Sequence, residues 1–172
     1  MSILPILLHP DPRLKKICDP VGAVDAETRK LADAMLETMY DAPGVGLAAP
    51  QVGSMARLFV MDCADKDAVG EPMVLINPEI KWTSDELSVH NEGCLSLPEL
   101  FEDVERPAAV RMSFLDIDGK AHEQQFDGLW ATCAQHELDH LNGVLFIDHL
   151  TRMKRSMMTK KMVKFKKELA LG

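Results

Sequence analysis

The chain has 172 residues, 47% hydrophobic and 27% charged, which fits one globular domain over residues 1–172 and excludes a disordered or low-complexity chain. No apolar run approaches the roughly 20 residues of a bilayer span, and the short apolar start lacks a basic segment and a cleavage site, so neither membrane anchor nor export signal is expected. The net charge of −8 is unevenly spread: residues 152–172 hold eight Lys/Arg against one acid, and the rest holds 11 basic and 26 acidic residues.

In chain order, residues 25–42 carry helical periodicity at Leu31, Met35, Leu36 and Met39, with Asp25 as cap and Pro43-Gly44 as stop. A tight small-residue segment follows, Gly44-Val45-Gly46-Leu47-Ala48-Ala49-Pro50-Gln51. Strand patterns come next at 57–62, 72–82, 86–90 and 104–114, and Asp118-Gly119 signals a hairpin from the last of these to 121–126. Residues 128–142 are helical in pattern, and Gly143 is placed to end that helix. A last helix over 152–169 has the apolar stripe Met158, Met162, Phe165 and Leu169, with lysines mostly on other faces. Strands in the middle, joined by hairpin-type connections and flanked by helices, predict an α+β class. The expected architecture is antiparallel sheets around a central helix, with an N-terminal helix and a C-terminal amphipathic helix.

The central helix contains His136-Glu137-Leu138-Asp139-His140. Histidines at i and i+4 leave one helix face and can share an ion, while Glu137 can reach a metal-held water without being a ligand. A cation lowers the pKa of that water, and a carboxylate can take its proton and pass it to a leaving group. The pattern predicts a metal-dependent amide hydrolase. A third protein ligand is needed. Position 146, where a third histidine would stand in one large metalloprotease class, is Phe146. Cys133 shares the face of His136. Cys94, in Glu92-Gly93-Cys94-Leu95-Ser96-Leu97-Pro98, would approach from another element, with Gly93 allowing close backbone approach. Local physics favours Cys94 only slightly, and the plain reading of Cys133 is a small buried apolar side chain. Cys18 and Cys63 read as core residues. The scattered cysteines suit a reducing, cytoplasmic compartment.

Three other readings compete. Gly44-Val45-Gly46-Leu47-Ala48-Ala49 satisfies a dinucleotide-binding pattern, but that motif needs a strand before it and a helix after it, whereas a helix precedes and Pro50 follows; no nucleotide cofactor is expected. A generic zinc peptidase would cut internal bonds. A closed structural zinc site built from Cys94, Cys133, His136 and His140 would leave Glu137 without a purpose.

Residues 44–51, Glu92 to Ser96 and Gln135 to His140 resemble, in order and type, the three signature segments of the peptide deformylase family. The basic C-terminal helix resembles the form common in Gram-negative bacteria. The resemblance implies removal of the N-formyl group from the initiator methionine of nascent polypeptides, with release of formate. It implies Cys94, His136 and His140 as ligands of one divalent ion: Fe(2+) in the cell, with Zn(2+), Ni(2+) or Co(2+) able to replace it. Glu137 would serve as general base and then acid. Gln51 and the Leu95 backbone N–H would help hold the oxyanion, and the Gly46 backbone would bind the substrate chain as an added strand. Gly44 and Gly46 allow close approach, and Val45, Leu95 and the Thr132–Cys133 face would line a slot for methionine. Glu92 would either position the Cys94 segment or meet the substrate backbone. Some relatives carry an arginine seven residues after the cysteine; here it is Phe101. Arg106 would pair with Asp139 in support of the helix. The implied partners are formyl-methionyl nascent chains and, through the basic helix, the ribosome. His9, His90, His122 and His149 read as ordinary surface or core histidines, with His90 near enough in sequence to border the pocket.

Overall fold

A computed structural model describes residues 2–172. Helix α1 spans Ala26–Asp41, and the Asp25 carboxylate accepts the Thr28 N–H at its start. Strand β1 (Gly46–Ala48) leads into a one-turn 3-10 helix, Ala49–Val52. Strands β2 (Leu58–Met61), β3 (Met73–Thr83), β4 (Leu87–Cys94), β5 (Leu97–Pro107), β6 (Ala109–Leu115) and β7 (Ala121–Asp127) follow, then helices α2 (Gly128–Leu141) and α3 (Arg152–Leu171). The strands form a five-stranded sheet in the order β1-β2-β3-β6-β7 and a separate β4–β5 hairpin, every strand pair antiparallel. The class is α+β, with helices at both ends of the strand region.

Three expectations need correction. The apolar pattern over 104–114 is two strands, because Pro107 ends β5 and the chain changes sheets at Ala108. Strand 86–90 extends to Cys94, so the thiol stands at a strand end rather than on a loop beyond it. Leu169 is 57% exposed. Only Met158, Met162 and Phe165 of the predicted stripe pack onto the body, and residues 167–172 at the end of α3 are exposed.

Buried side chains of α2 (Ala131, Ala134, Leu138 and Leu141) pack against those of β2, β3, β6 and β7. The other side of the same helix is buried and polar, with His136, Glu137 and His140 each at most 7% exposed. Burying three polar groups side by side is costly unless they have partners. That cost points to the helix face where chemistry is placed. At its C-terminal end Gly143 is left-handed (φ 75°), and a Cβ there would sit 2.5 Å from the Lys15 carbonyl oxygen. Meanwhile Met35 and Met39 of α1 bury against Leu47, Leu58, Val60 and Ile76, which fixes β1 at the sheet edge beside α2.

Candidate metal centre and its cleft

One atom each from Cys94, His136 and His140 lies within 4.8 Å of the others. The His140 Nε2 is 3.3 Å from the Cys94 sulfur, and the two imidazole rings meet edge to face with centroids 5.0 Å apart. The trio comes from two elements, the end of β4 and two successive turns of α2. Cys133 does not join them. It is buried, its thiol 3.6 Å from the Val45 carbonyl oxygen, and Cys63 beside it, together with burial, pushes that thiol's pKa up. Cys18 and Cys63 are also buried, as expected.

The donor set fits a cation. A sulfur and two imidazoles suit zinc and iron alike. The electrostatics agree. Burial alone would lower the His136 pKa, but hydrogen bonding to Cys94 and the nearby Glu137 and Glu92 carboxylates push it well above its ordinary value. The pocket therefore favours positive charge at this corner. Burial and the neighbouring His136 push His140 the other way, well below its usual value, so it is kept as a neutral imidazole able to ligate.

A buried ion-pair network stands behind His136. Its Nδ1 lies 3.0 Å from Glu92 Oε1. Arg106 Nε and Nη2 donate to Glu92 at 2.7 and 3.0 Å, and Nη1 donates to Asp139 at 2.9 Å. The expected Arg106–Asp139 pair is present, and Arg106 is only 5% exposed, so it is no surface charge. Burial opposes ionisation of Glu92, but the hydrogen bonds from His136 and Arg106 hold its pKa down to about 2. Glu92 thus faces the helix. His149, read from sequence as ordinary, also approaches Asp139, at 2.8 Å.

Glu137 is different. Its Oε2 is 3.9 Å from His136 Nε2, and its Oε1 is buried without a hydrogen-bond partner. Burial, reinforced by Glu92 and Asp139 against the opposing His136 and Arg106, raises its pKa to about 7. A carboxylate with a free oxygen and a pKa near neutrality can exchange protons with a bound water.

An open cleft of about 730 Å³ reaches this corner, and every candidate catalytic, substrate-binding or metal residue, His140 excepted, lines it. Gly46 is pressed against it: a Cβ there would lie 2.6 Å from Glu137 Oε2 and 2.8 Å from the Cys133 sulfur. A Cβ at Gly44 would meet the Leu95 side chain at 2.8 Å. Gln51 accepts the Ala48 N–H through Oε1 and donates through Nε2 to Ser96 Oγ at 3.0 Å and toward the Cys94 sulfur at 3.5 Å. Val45, Leu95, Thr132 and Cys133 line the same cleft, as does His90. Sequence reasoning misses Ser96 and Leu129; Ser96 belongs to the cysteine motif, whereas nothing local marks Leu129. The Gly-x-Gly-x-x-Ala pattern lies on edge strand β1 and a single 3-10 turn, not between a strand and a long helix.

The polypeptide deformylase family profile matches residues 3–156. A peptide deformylase of Mesorhizobium japonicum is 54% identical over 172 residues, covering 100% of this chain and 98% of the relative. The crystal structure of a peptide deformylase from Legionella pneumophila superposes with a TM-score of 0.90 at 45% identity, covering 98% of each chain. That of peptide deformylase from Ehrlichia chaffeensis in complex with actinonin gives 0.92 at 40% identity over 96% of this chain and 98% of that one. With this match over nearly its whole length, added to the sulfur–imidazole trio and its neighbouring glutamate, the chain belongs to the polypeptide deformylase family of hydrolases that remove formyl groups.

Proposed function

We propose that the chain, as one catalytic domain, hydrolyses the formamide bond at the N-terminal methionine of nascent polypeptides and releases formate. The observation that carries this is the placement of Glu137, with one unpartnered oxygen, beside Cys94, His136 and His140 at the end of a cleft bounded by edge strand β1. Cys94, His136 and His140 would hold one divalent ion, Fe(2+) in the cell, with Zn(2+), Ni(2+) or Co(2+) as substitutes. When bound, that ion supplies a water of lowered pKa and polarises the formyl oxygen.

The protein groups do the rest. Glu137 takes the water's proton at its carboxylate and returns it to the departing amine nitrogen. The Gln51 amide, oriented by its bond to the Ala48 N–H, and the Leu95 backbone N–H donate to the oxygen that becomes negative. The chain after the methionine pairs with the open edge of β1 at Gly46, with Gly44 allowing close approach. Val45, Leu95 and Cys133 enclose the methionine side chain. Glu92 orients His136 through Nδ1, fixing the tautomer that leaves Nε2 for the ion. Substrates that emerge from ribosomes place the enzyme in the cytoplasm, and the exposed lysines of α3 suit contact with the ribosome's phosphate surface.

The test is anaerobic purification with metal analysis and a formyl-Met-peptide assay. Cys94→Ala should lose metal and activity. Cys133→Ala should keep the metal. Glu137→Gln should keep the metal and lose roughly 10²–10⁴-fold in kcat. A Glu137→Gln protein of full activity would refute the mechanism.

A further inference from the structure

Two buried thiols meet behind the cleft, and the proposed reaction uses the chemistry of neither. Cys133, on α2, lines the cleft; Cys63, just past the end of β2, does not. Both belong to one apolar cluster and are 5% and 6% exposed. The Val45 carbonyl oxygen ties them together. It accepts the Asp62 N–H at 2.8 Å and the Cys133 thiol at 3.6 Å, which holds the residue after Asp62 against α2. Cys63 adjoins the Cys133 sulfur closely enough to be the main cause of its raised pKa. On the opposite flank a Cβ at Gly46 would lie 2.8 Å from that sulfur, so the glycine makes room for it between β1 and Cys63.

A thiol that an oxidant reaches first forms a sulfenic acid, and a neighbouring thiol condenses with it. Cys133 borders the open cleft and Cys63 stands behind it, so a small oxidant meets Cys133 first.

We propose that Cys63 and Cys133 are a modification site, joined by hydrogen peroxide into a reversible disulfide that reshapes the wall of the cleft. The Cys133 sulfur attacks the peroxide: an S–O bond forms, the O–O bond breaks and water leaves. The Cys63 sulfur then attacks the sulfenic sulfur: the S–S bond forms, the S–O bond breaks and a second water leaves. Two thiols are oxidised and one peroxide is reduced to two waters. The second step is fast because its partner is held in place. The first is slow, because a raised pKa leaves little thiolate at neutrality, so the pair answers sustained oxidant. Thiols of a reducing compartment reverse the bond. It removes the Cys133 hydrogen bond to Val45 and draws the sulfur toward Cys63. The effect on catalysis rests on the deformylase reading above; the bond itself does not.

The experiment treats nickel-loaded holoenzyme, which has no ferrous ion to oxidise, with excess hydrogen peroxide, then alkylates free thiols and digests with trypsin. Cleavage places Cys63 in 58–66 and Cys133 in 121–152, apart from Cys18 in 17–29 and Cys94 in 82–111. The expected product is 58–66 linked to 121–152, lighter by two hydrogens and separated by dithiothreitol. In the oxidised form kcat/KM on a formyl-Met peptide should fall roughly tenfold, mainly through KM, and recover with dithiothreitol. Cys63→Val and Cys63→Ala should give no linked peptide and no recoverable loss. Absence of the linked peptide in wild type overturns the proposal, whatever the variants do. So does a recoverable loss in Cys63→Val equal to that of wild type, or a linked protein with unchanged kinetics. Failure to turn over any formyl peptide overturns the deformylase reading instead, and the linked peptide still decides whether the bond forms.

Discussion

Arg106 shows how much rests on one side chain. It is almost fully buried and neutralises two carboxylates, Glu92 and Asp139, one on each of the elements that carry the metal-capable trio. Removing one partner of a buried ion pair leaves the other charge desolvated, which costs about 3–5 kcal/mol. Arg106→Ala should therefore lower unfolding free energy by that amount in denaturant titrations. It should also weaken metal binding by roughly 10–100-fold, because His136 loses the anchored carboxylate that orients it. Unchanged stability and metal content would remove Arg106 from that role. The sequence suggested its pairing with Asp139. The bidentate bond to Glu92 could not be read, since the hairpin register sets Arg106 opposite Ser88 and Glu92 opposite Glu102, and the two side chains meet where both reach α2, Arg106 at Asp139 and Glu92 at His136.

Among the elements, β2 and the segment after it depend on Asp62. Its carboxylate accepts the Tyr40 hydroxyl at 2.6 Å and the Ala64 and Glu71 N–H groups at 3.1 and 3.0 Å. Burial raises its pKa, but these donors outweigh burial and hold it below the ordinary carboxylate value. Burial and the Asp62 charge push Tyr40 up to about 12, so it stays a donor throughout the ordinary pH range. A carboxylate with a lowered folded pKa stabilises the fold above its unfolded pKa of about 3.9 and loses that contribution as pH falls through the folded value. The stability gap between wild type and Asp62→Asn should thus be widest near neutrality and shrink from about pH 4 downward. A gap that stays constant from pH 7 to pH 3 would refute the assignment.

Over the whole molecule, charge is divided between an acidic body and a basic helix. On α3, Lys160, Lys161, Lys164 and Lys167 are exposed, while Met158 and Met162 are buried against Leu97, Val104 and Phe146. The helix is docked by its apolar side and presents its cations outward. Replacing those four lysines by glutamate should leave the fold intact and weaken ribosome co-sedimentation. For every phosphate that is no longer neutralised, the plot of log affinity against log salt should flatten by about one unit. Binding that does not vary with salt would refute an electrostatic contact.

The sequence alone determined the helices, the hairpin, the α+β class and the His136–Glu137–His140 face, because each is written in local spacing: 3.6 residues per turn, alternation along a strand, a turn signal at Asp118-Gly119. Its three signature segments also pointed to the family. It left the choice between Cys94 and Cys133 nearly even on local grounds, since i−3 on the helix and the end of a distant strand are both plausible approaches to an ion. Tertiary structure brought Cys94 to His136 and His140 and turned Cys133 toward Cys63 and Val45. It split the 104–114 pattern between two sheets at Pro107. It also set Phe101 over Gly93 at the mouth of the cleft. Those outcomes depend on which strand pairs with which, and pairing across tens of residues leaves no mark in the local spacing of either partner.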